Sequence, residues 1–434
     1  FFFNPHPAIP DSSTSRGLGD VYKRQPLKSI RFSPGNNKTW GINFQRNISK
    51  TSETAFWSKL PIGFDIKRVS MAGKLNGINL KNPKNLKLTP YLLSDNNSEN
   101  KSKVQTGADL KYSITPALTL DLTYNTDFAQ VEADNAQINL NRFNLFYPEK
   151  REFFLTRSKL FSFGNSRQTE IFFSRRIGLN QNVLGGSRVY GQIGKTSVGA
   201  LNIHTQAENG LPSTAYSALR LRSDIRDRTT IGAIVTDVSN KEAQNSVIGF
   251  DGQMRFWGSS SISAWYSQVN DDQFEKPSQA SMIKVDLKND RYFFTAGQHR
   301  VDKDFDPALG FVQRNDMIGT GAIMGFTPRV GNGEELIRQM RYTLYLRDVK
   351  NLEGISETGI VNVGIDAIFE SRDRVGLKII QEREKLLNSF TLGNGLEIQK
   401  GNYRDRKISL SASCLLYTSP SPRDVEEWRI AGCG

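Results

Sequence analysis

The chain has 434 residues, a formal net charge of +13, 37% hydrophobic residues and two cysteines. No run approaches the roughly 18 apolar residues expected of a membrane-crossing helix. A membrane could therefore be crossed only by strands closed into a barrel, since hydrocarbon tolerates no unpaired backbone groups. The basic balance raises nucleic acid as a partner, but the cations are spread singly, as in Arg220 and Arg222 or Lys284 and Lys288, which argues against a groove that tracks phosphates.

The two ends carry SRGLGDVYKRQ (Ser15–Gln25) and CLLYTSPSPRD (Cys414–Asp424). A DNA sequence encoding the second, read on the opposite strand one base in, encodes the first. One DNA element in opposite orientations accounts for both, as a sequencing-library adaptor would. Residues 1–25 and 414–434 are therefore set aside as non-native. Both cysteines fall in the second of these stretches, leaving no thiolate chemistry in the body. Only His204 and His299 remain among the histidines, and the lack of a leader says nothing about export.

In chain order, 26–58 alternates Trp40, Ile42 and Phe44 after a Pro-Gly-Asn-Asn turn, which suggests the closing hairpin of a separate β domain, the remnant of a sandwich. Residues 59–103 read as short strands and linker. From 104 to 413 the dominant signal is alternation of period two. Leu118, Leu120, Leu122 and Tyr124 interleave with polar residues; so do Ile283, Val285 and Leu287, then Tyr342, Leu344 and Leu346, then Val361, Val363, Ile365, Ala367 and Phe369, then Ile408 and Leu410. Tight turns are expected near Gly194-Lys195, Ser223–Arg228, Trp257–Ser259, Asn289-Asp290, Gly331–Gly333 and Arg372–Arg374. Longer polar stretches fall between them, and strict alternation of short and long connections is the mark of an outer-membrane barrel. Aromatics near segment ends (Tyr190, Trp257, Trp265, Tyr266, Tyr292 and Tyr345) suggest interfacial girdles. The expected fold is all-β: an antiparallel up-and-down transmembrane β-barrel of about fourteen strands after Val183 and two or three before it. It is expected to be incomplete, with unpaired edges.

Thr126–Gly164, within this barrel, neither alternates nor shows a helical period. It gathers Asp127, Glu132 and Asp134, then seven aromatics around the charged turn Pro148–Glu152. Two readings stay open: an inward-folded plug or constriction, with a cation held by the carboxylates, or a structural cap whose acids pair with Arg142, Lys150 or Arg151. The spacing matches no specific cation motif. The candidate binding residues are Asp127, Glu132, Asp134, Arg142, Glu149, Lys150, Arg151, Arg175 and Arg176. No catalytic residue, metal ligand or cofactor site is assigned.

GADLKYSITPALTLDLTYNTDFAQVEAD (Gly107–Asp134), FYPEKREFFL (Phe146–Leu155), FFSRRIG (Phe172–Gly178) and DPALGFVQRND (Asp306–Asp316) resemble a Gram-negative outer-membrane family known as domain of unknown function 5916. The resemblance implies a barrel preceded by a module similar to family-nine carbohydrate-binding domains. Pro26–Ser58 looks like the end of that module; its sugar-contacting residues are not in this chain. Three functions follow as expectations. The first is an outer-membrane barrel that binds or passes a solute, saccharide-related, with membrane lipid and carbohydrate as partners. The second is a carbohydrate-active hydrolase, which needs two carboxyls about 5–5.5 Å or 6.5–9.5 Å apart. The third is a soluble β-rich adhesin, which requires the apolar faces to turn inward.

Overall fold

The structure, a computed structural model, describes residues 35–48, 53–60, 64–80, 86–96, 102–125, 134, 137, 139, 141–179, 181–208, 210–226, 228–330, 336–371, 373–392 and 395–414. Its centre is one antiparallel sheet of sixteen strands. The first eight are β1 (Leu86–Asn96), β2 (Ser102–Thr115), β3 (Leu118–Tyr124), β4 (Val183–Ile193), β5 (Thr196–Thr205), β6 (Ala215–Arg226), β7 (Thr229–Ser239) and β8 (Gln244–Phe256). The rest are β9 (Ser260–Asp271), β10 (Ser278–Lys288), β11 (Tyr292–Val301), β12 (Met317–Phe326), β13 (Ile337–Lys350), β14 (Ser356–Phe369), β15 (Arg374–Leu386) and β16 (Gly401–Ser413). Each pairs with the next in chain order, and among the described residues β1 and β16 end the ladder without meeting. The sheet begins at Leu86, inside the stretch that sequence suggests as short strands and linker. Upstream, Gly35–Ile42 pairs with Gly73–Leu80, and Gln45–Ile48 with Glu53–Phe56.

Because consecutive strands pair antiparallel, the connections between them fall alternately at two rims. One rim holds the tight turns Ile193/Thr196, Phe256/Ser260 and Lys288/Tyr292; β6 continues to Arg226, so its turn is tighter than the sequence implies. The opposite rim holds the Tyr124/Val183, Thr205/Ala215, Val301/Met317 and Leu386/Gly401 connections. Strict alternation in length fails at Phe326/Ile337, which is longer than Ser239/Gln244 on the other rim. That connection folds back on β13: Val330 N–H donates to the Arg338 carbonyl at 3.0 Å and Met340 N–H to that of Pro328 at 3.1 Å. Gly331–Gly333 and Arg372 lie outside the described residues.

The two faces of the sheet differ. The apolar positions named from sequence, among them Leu122, Ile283, Tyr342, Val361, Val363, Ile365, Ile408 and Leu410, stand on an open face and remain exposed. At the tight-turn rim this face ends in aromatics: Tyr292 stacks on Phe326 (5.0 Å) and Phe326 on Tyr342 (6.2 Å), while Trp257 is 82% exposed. Tyr190, Trp265 and Tyr345 do not join them. They fall on the opposite parity, in register with Gly199, Asp251 and Ile323, and Tyr190 and Trp265 are buried.

The other face is covered at its long-connection end by residues 141–179 and the Val301/Met317 connection. These pieces meet in a three-stranded sheet of Gly164–Asn165, Thr169–Glu170 and Phe311–Val312. The buried core lies between this covering segment, a plug by position alone, and the sheet. Phe163 and Ile171 pack with Ile234, Val247, Val269 and Val301, while Phe154, Phe161 and Ile177 pack with Leu201, Ile203 and Leu309. Two glycines on the covered face make room for rings: a Cβ at Gly199 would stand 2.9 Å from Phe161 Cζ, and one at Gly249 would stand 2.7 Å from Phe163 Cζ. Overpacking of this kind costs about 1–3 kcal/mol. Gly249→Val should therefore loosen the plug without unpairing the sheet, read as faster protease cleavage within 143–177 at unchanged far-ultraviolet circular dichroism.

Candidate functional site

The plug is fastened to the sheet by cations on the covered face, each balanced by a carboxylate and most lying over a ring. Arg188 on β4 donates to Asp121 of β3 at 2.7 Å, is 2% exposed, and lies 4.5 Å from the Phe153 ring and 4.6 Å from that of Tyr190. Arg220 on β6 donates to both oxygens of Asp251 on β8, at 2.6 and 2.9 Å, with the Phe163 ring 5.3 Å away. Gly232 of the intervening strand lets this pair cross, since a Cβ there would stand 2.4 Å from Arg220 Nη1. Removing one partner of such a pair leaves a buried charge uncompensated.

Within the plug, Glu149 is the centre of a second arrangement. Its carboxylate accepts from Arg151 Nε (2.8 Å) and Nη2 (2.7 Å), from the Ser174 hydroxyl (2.7 Å) and from the Lys150 and Arg151 backbone N–H groups. Arg151 also donates to the carbonyls of Ile177 (2.7 Å) and Ser174 (2.6 Å), so it pins the turn containing Phe172–Gly178 to that containing Phe146–Leu155. Burial pushes the Glu149 carboxyl up, but Arg151 and the Ser174 hydroxyl outweigh it and hold its pKa below the ordinary carboxylate value. Nearby, Asp134 pairs with Arg175 and, at 3.6 Å, with Lys150. Arg175 also donates to the Pro148 carbonyl at 3.1 Å, and Arg176 to that of Gly310 at 3.1 Å.

The third cluster joins the plug to the last strands. Arg142 Nη2 donates to Glu357 at 2.8 Å and to Glu384 at 2.9 Å; Arg314 donates to the same Glu357 oxygen at 2.9 Å and to Thr358 Oγ1 at 3.0 Å. The Phe143 ring lies beside both guanidiniums, 5.2 Å from that of Arg142 and 5.1 Å from that of Arg314. Around this cluster are two adjoining hollows of about 560 and 440 Å³. The larger is lined by Arg347, Glu384, Phe390, Leu392 and Tyr403, the smaller by Arg176, Asp306 and Asp316, and Arg142, Phe143 and Arg314 line both.

The nine sequence candidates therefore do not form one site. Asp134, Lys150 and Arg175 form one group, Glu149 and Arg151 another, and Arg142 belongs with Arg314, Glu357 and Glu384, which the sequence did not single out. Asp127 and Glu132 lie outside the described residues. No three or more His, Cys, Asp or Glu side chains gather into a metal-binding group among the described residues. Glu357 and Glu384 both accept from one guanidinium, that of Arg142.

Residues 82–188 match a protein family described as Domain of unknown function (DUF5916). The match spans β1 to β3, the first part of the plug and β4 as far as Arg188, so it takes in both members of the Asp121–Arg188 pair. No curated protein matches the chain.

Two outcomes follow from these pairs. Arg188→Met should cost about 3–5 kcal/mol by stranding Asp121, measured by denaturant titration against wild type. A carboxyl with a depressed folded pKa contributes stability above its unfolded value, about 4.3 for Glu, and loses it as pH falls through the folded value. Protease protection of the plug should therefore weaken as the pH drops below about 4.3. Glu149→Gln should start less protected at neutral pH and lose this part of the pH response.

Proposed function

We propose that this chain is the wall and plug of an outer-membrane β-barrel protein that binds a saccharide-class solute in the hollow around Arg142, Phe143 and Arg314. The observation carrying the membrane part is the open face. Large apolar side chains stay exposed on strand after strand, from Leu122 on β3 to Leu410 on β16. Soluble monomers rarely expose apolar patches beyond a few hundred Å², whereas an apolar band edged by aromatics is what lipid contact demands. The third expectation, a soluble adhesin, needs these side chains to meet in a dry centre; the core instead uses the other parity, against the plug.

The solute part is supported by the lining of the hollow. Rings from Phe143, Phe390 and Tyr403 stand beside donors on Arg142, Arg314 and Arg347 and acceptors on Glu384. Apolar walls with a few convergent polar groups are the usual make-up of a small-molecule site, and a ring sugar offers both an apolar face and hydroxyls. The hollow sits at the long-connection rim, where a solute arriving from outside would meet it first.

The test uses the protein expressed in a Gram-negative host. Partition into the outer-membrane fraction and heat-modifiable migration are expected; a detergent-free soluble protein overturns the membrane reading. A panel of gluco- and xylo-oligosaccharides titrated by calorimetry should give binding that Arg314→Met weakens on the order of tenfold, about one charged hydrogen bond's worth. Binding indifferent to Arg314, or no binding across the panel, overturns the saccharide reading.

A further inference from the structure

A second concavity lies on the open face, away from the plug. Two hollows of about 940 and 820 Å³ follow one another along β10 to β15. Their floor changes along each strand in the same order. At the long-connection end stand Gln298, Thr320 and Asp348; then come Ala296 and Ala322, directly paired across β11 and β12; then Phe294, Met324 and Leu344; and last the stacked aromatics Tyr292, Phe326 and Tyr342. The small pair Ala296–Ala322 makes a trough between larger neighbours.

The polar end of this trough is cationic. Arg383 of β15 and Arg404 of β16 both line it and are directly opposite each other in the ladder. Like charges directly opposed across strands are destabilising. Arg383 is partly balanced, donating to the Ser356 hydroxyl at 2.6 Å and lying 3.4 Å from Asp348 Oδ1. Asp348 is itself shared with Lys350 at 3.8 Å, and Arg404 makes no ion pair among the described residues. Arg406 and Lys385 share this face on the same two strands. Two opposed guanidiniums at the head of an apolar trough match a molecule with a phosphate at one end and an acyl chain at the other.

We propose that this trough is a binding site for an anionic, phosphate-bearing lipid, its phosphate bridging Arg383 and Arg404 and one acyl chain lying over Ala296 and Ala322. The proposal rests on the membrane reading and is independent of the saccharide hollow, which lies on the other face. The test is native mass spectrometry of the protein extracted from membranes in mild detergent and loaded with phosphatidylglycerol or phosphatidylcholine. Wild type should retain phosphatidylglycerol in preference, and Arg383→Gln/Arg404→Gln should lower that retention on the order of tenfold. Arg383→Lys/Arg404→Lys should keep most of it. Ala322→Phe, which fills the trough without touching the charges, should also lower it.

Equal retention by the Gln pair and wild type overturns the proposal, as does displacement of the lipid by millimolar inorganic phosphate, which would assign the arginines to a free anion. Outer-membrane partition of every variant separates the two failures. A protein that partitions normally but retains lipid indifferently sinks this site alone, whereas one that never enters the membrane sinks the membrane reading with it.

Discussion

Burying a guanidinium is the constraint from which the rest of the architecture follows. Arg188 and Arg220 stand on a sheet face that a folded segment covers, and each is almost fully buried. A desolvated cation is tolerated only when paired and hydrogen-bonded. Each is: Asp121 and Asp251 supply the charge, and Phe153 and Phe163 from the plug lie against the guanidiniums, an arrangement favoured electrostatically by the ring faces. The plug therefore does not merely fill space. Its rings stand where the cations are, and the cations stand where strand parity puts them. Gly232 shows how far this reaches, because a Cβ there would stand 2.4 Å from Arg220 Nη1 and 2.5 Å from Asp251 Oδ1, so the pair would have to shift.

The two faces thus divide the work of solvation. Alternation along a strand sends one set of residues to the plug and the other outward, and a shift of one residue would exchange them. On the covered face the polar residues near the tight-turn rim, such as Arg222, Asp224 and Arg255, are left outside the plug's footprint, while those near the other rim mix with Ile203, Val269 and Val301. A purely polar face would give the plug nothing apolar to pack on, and a purely apolar one could not hold it in a single register. Arg142 completes the attachment from the far side, bonded to Glu357 and Glu384 on β14 and β15.

The sheet was legible in sequence because its signal is local: Leu118, Leu120, Leu122 and Tyr124 announce their common face within one strand. The plug was legible only as a departure from that pattern. Its third strand, Phe311–Val312, comes from a connection more than a hundred residues downstream, and no periodicity links it to Thr169–Glu170. The same distance hid Glu357 and Glu384 as partners of Arg142. Asp134, Glu149 and Arg151 were visible because the charges crowd together in the chain, but their division into separate groups depends on how Ser174 and Ile177 fold back over Arg151. The aromatics carried their own warning. Trp265 and Tyr266 are adjacent, so they cannot share a face, and only one of them could ever have belonged to a girdle.

The polarity of the open face bears on which end of the sheet faces which compartment. Its residues run from charged and amide side chains at the long-connection rim to aromatics at the tight-turn rim, and the plug lies at the same rim as the charges on the opposite face. On the membrane reading, the headgroup region that Arg383 and Arg404 meet is then the one beside the Arg142 hollow, and the long connections of barrels of this kind face outward. A ligand approaching from outside would reach the hollow at the level where the wall is anchored to lipid headgroups. Arg142 bonds across to Glu384, and Glu384 is the immediate chain neighbour of Arg383, which points to the other face. A single stretch of β15 therefore carries the attachment to the plug through Glu384 and, on the membrane reading, the proposed lipid contact through Arg383.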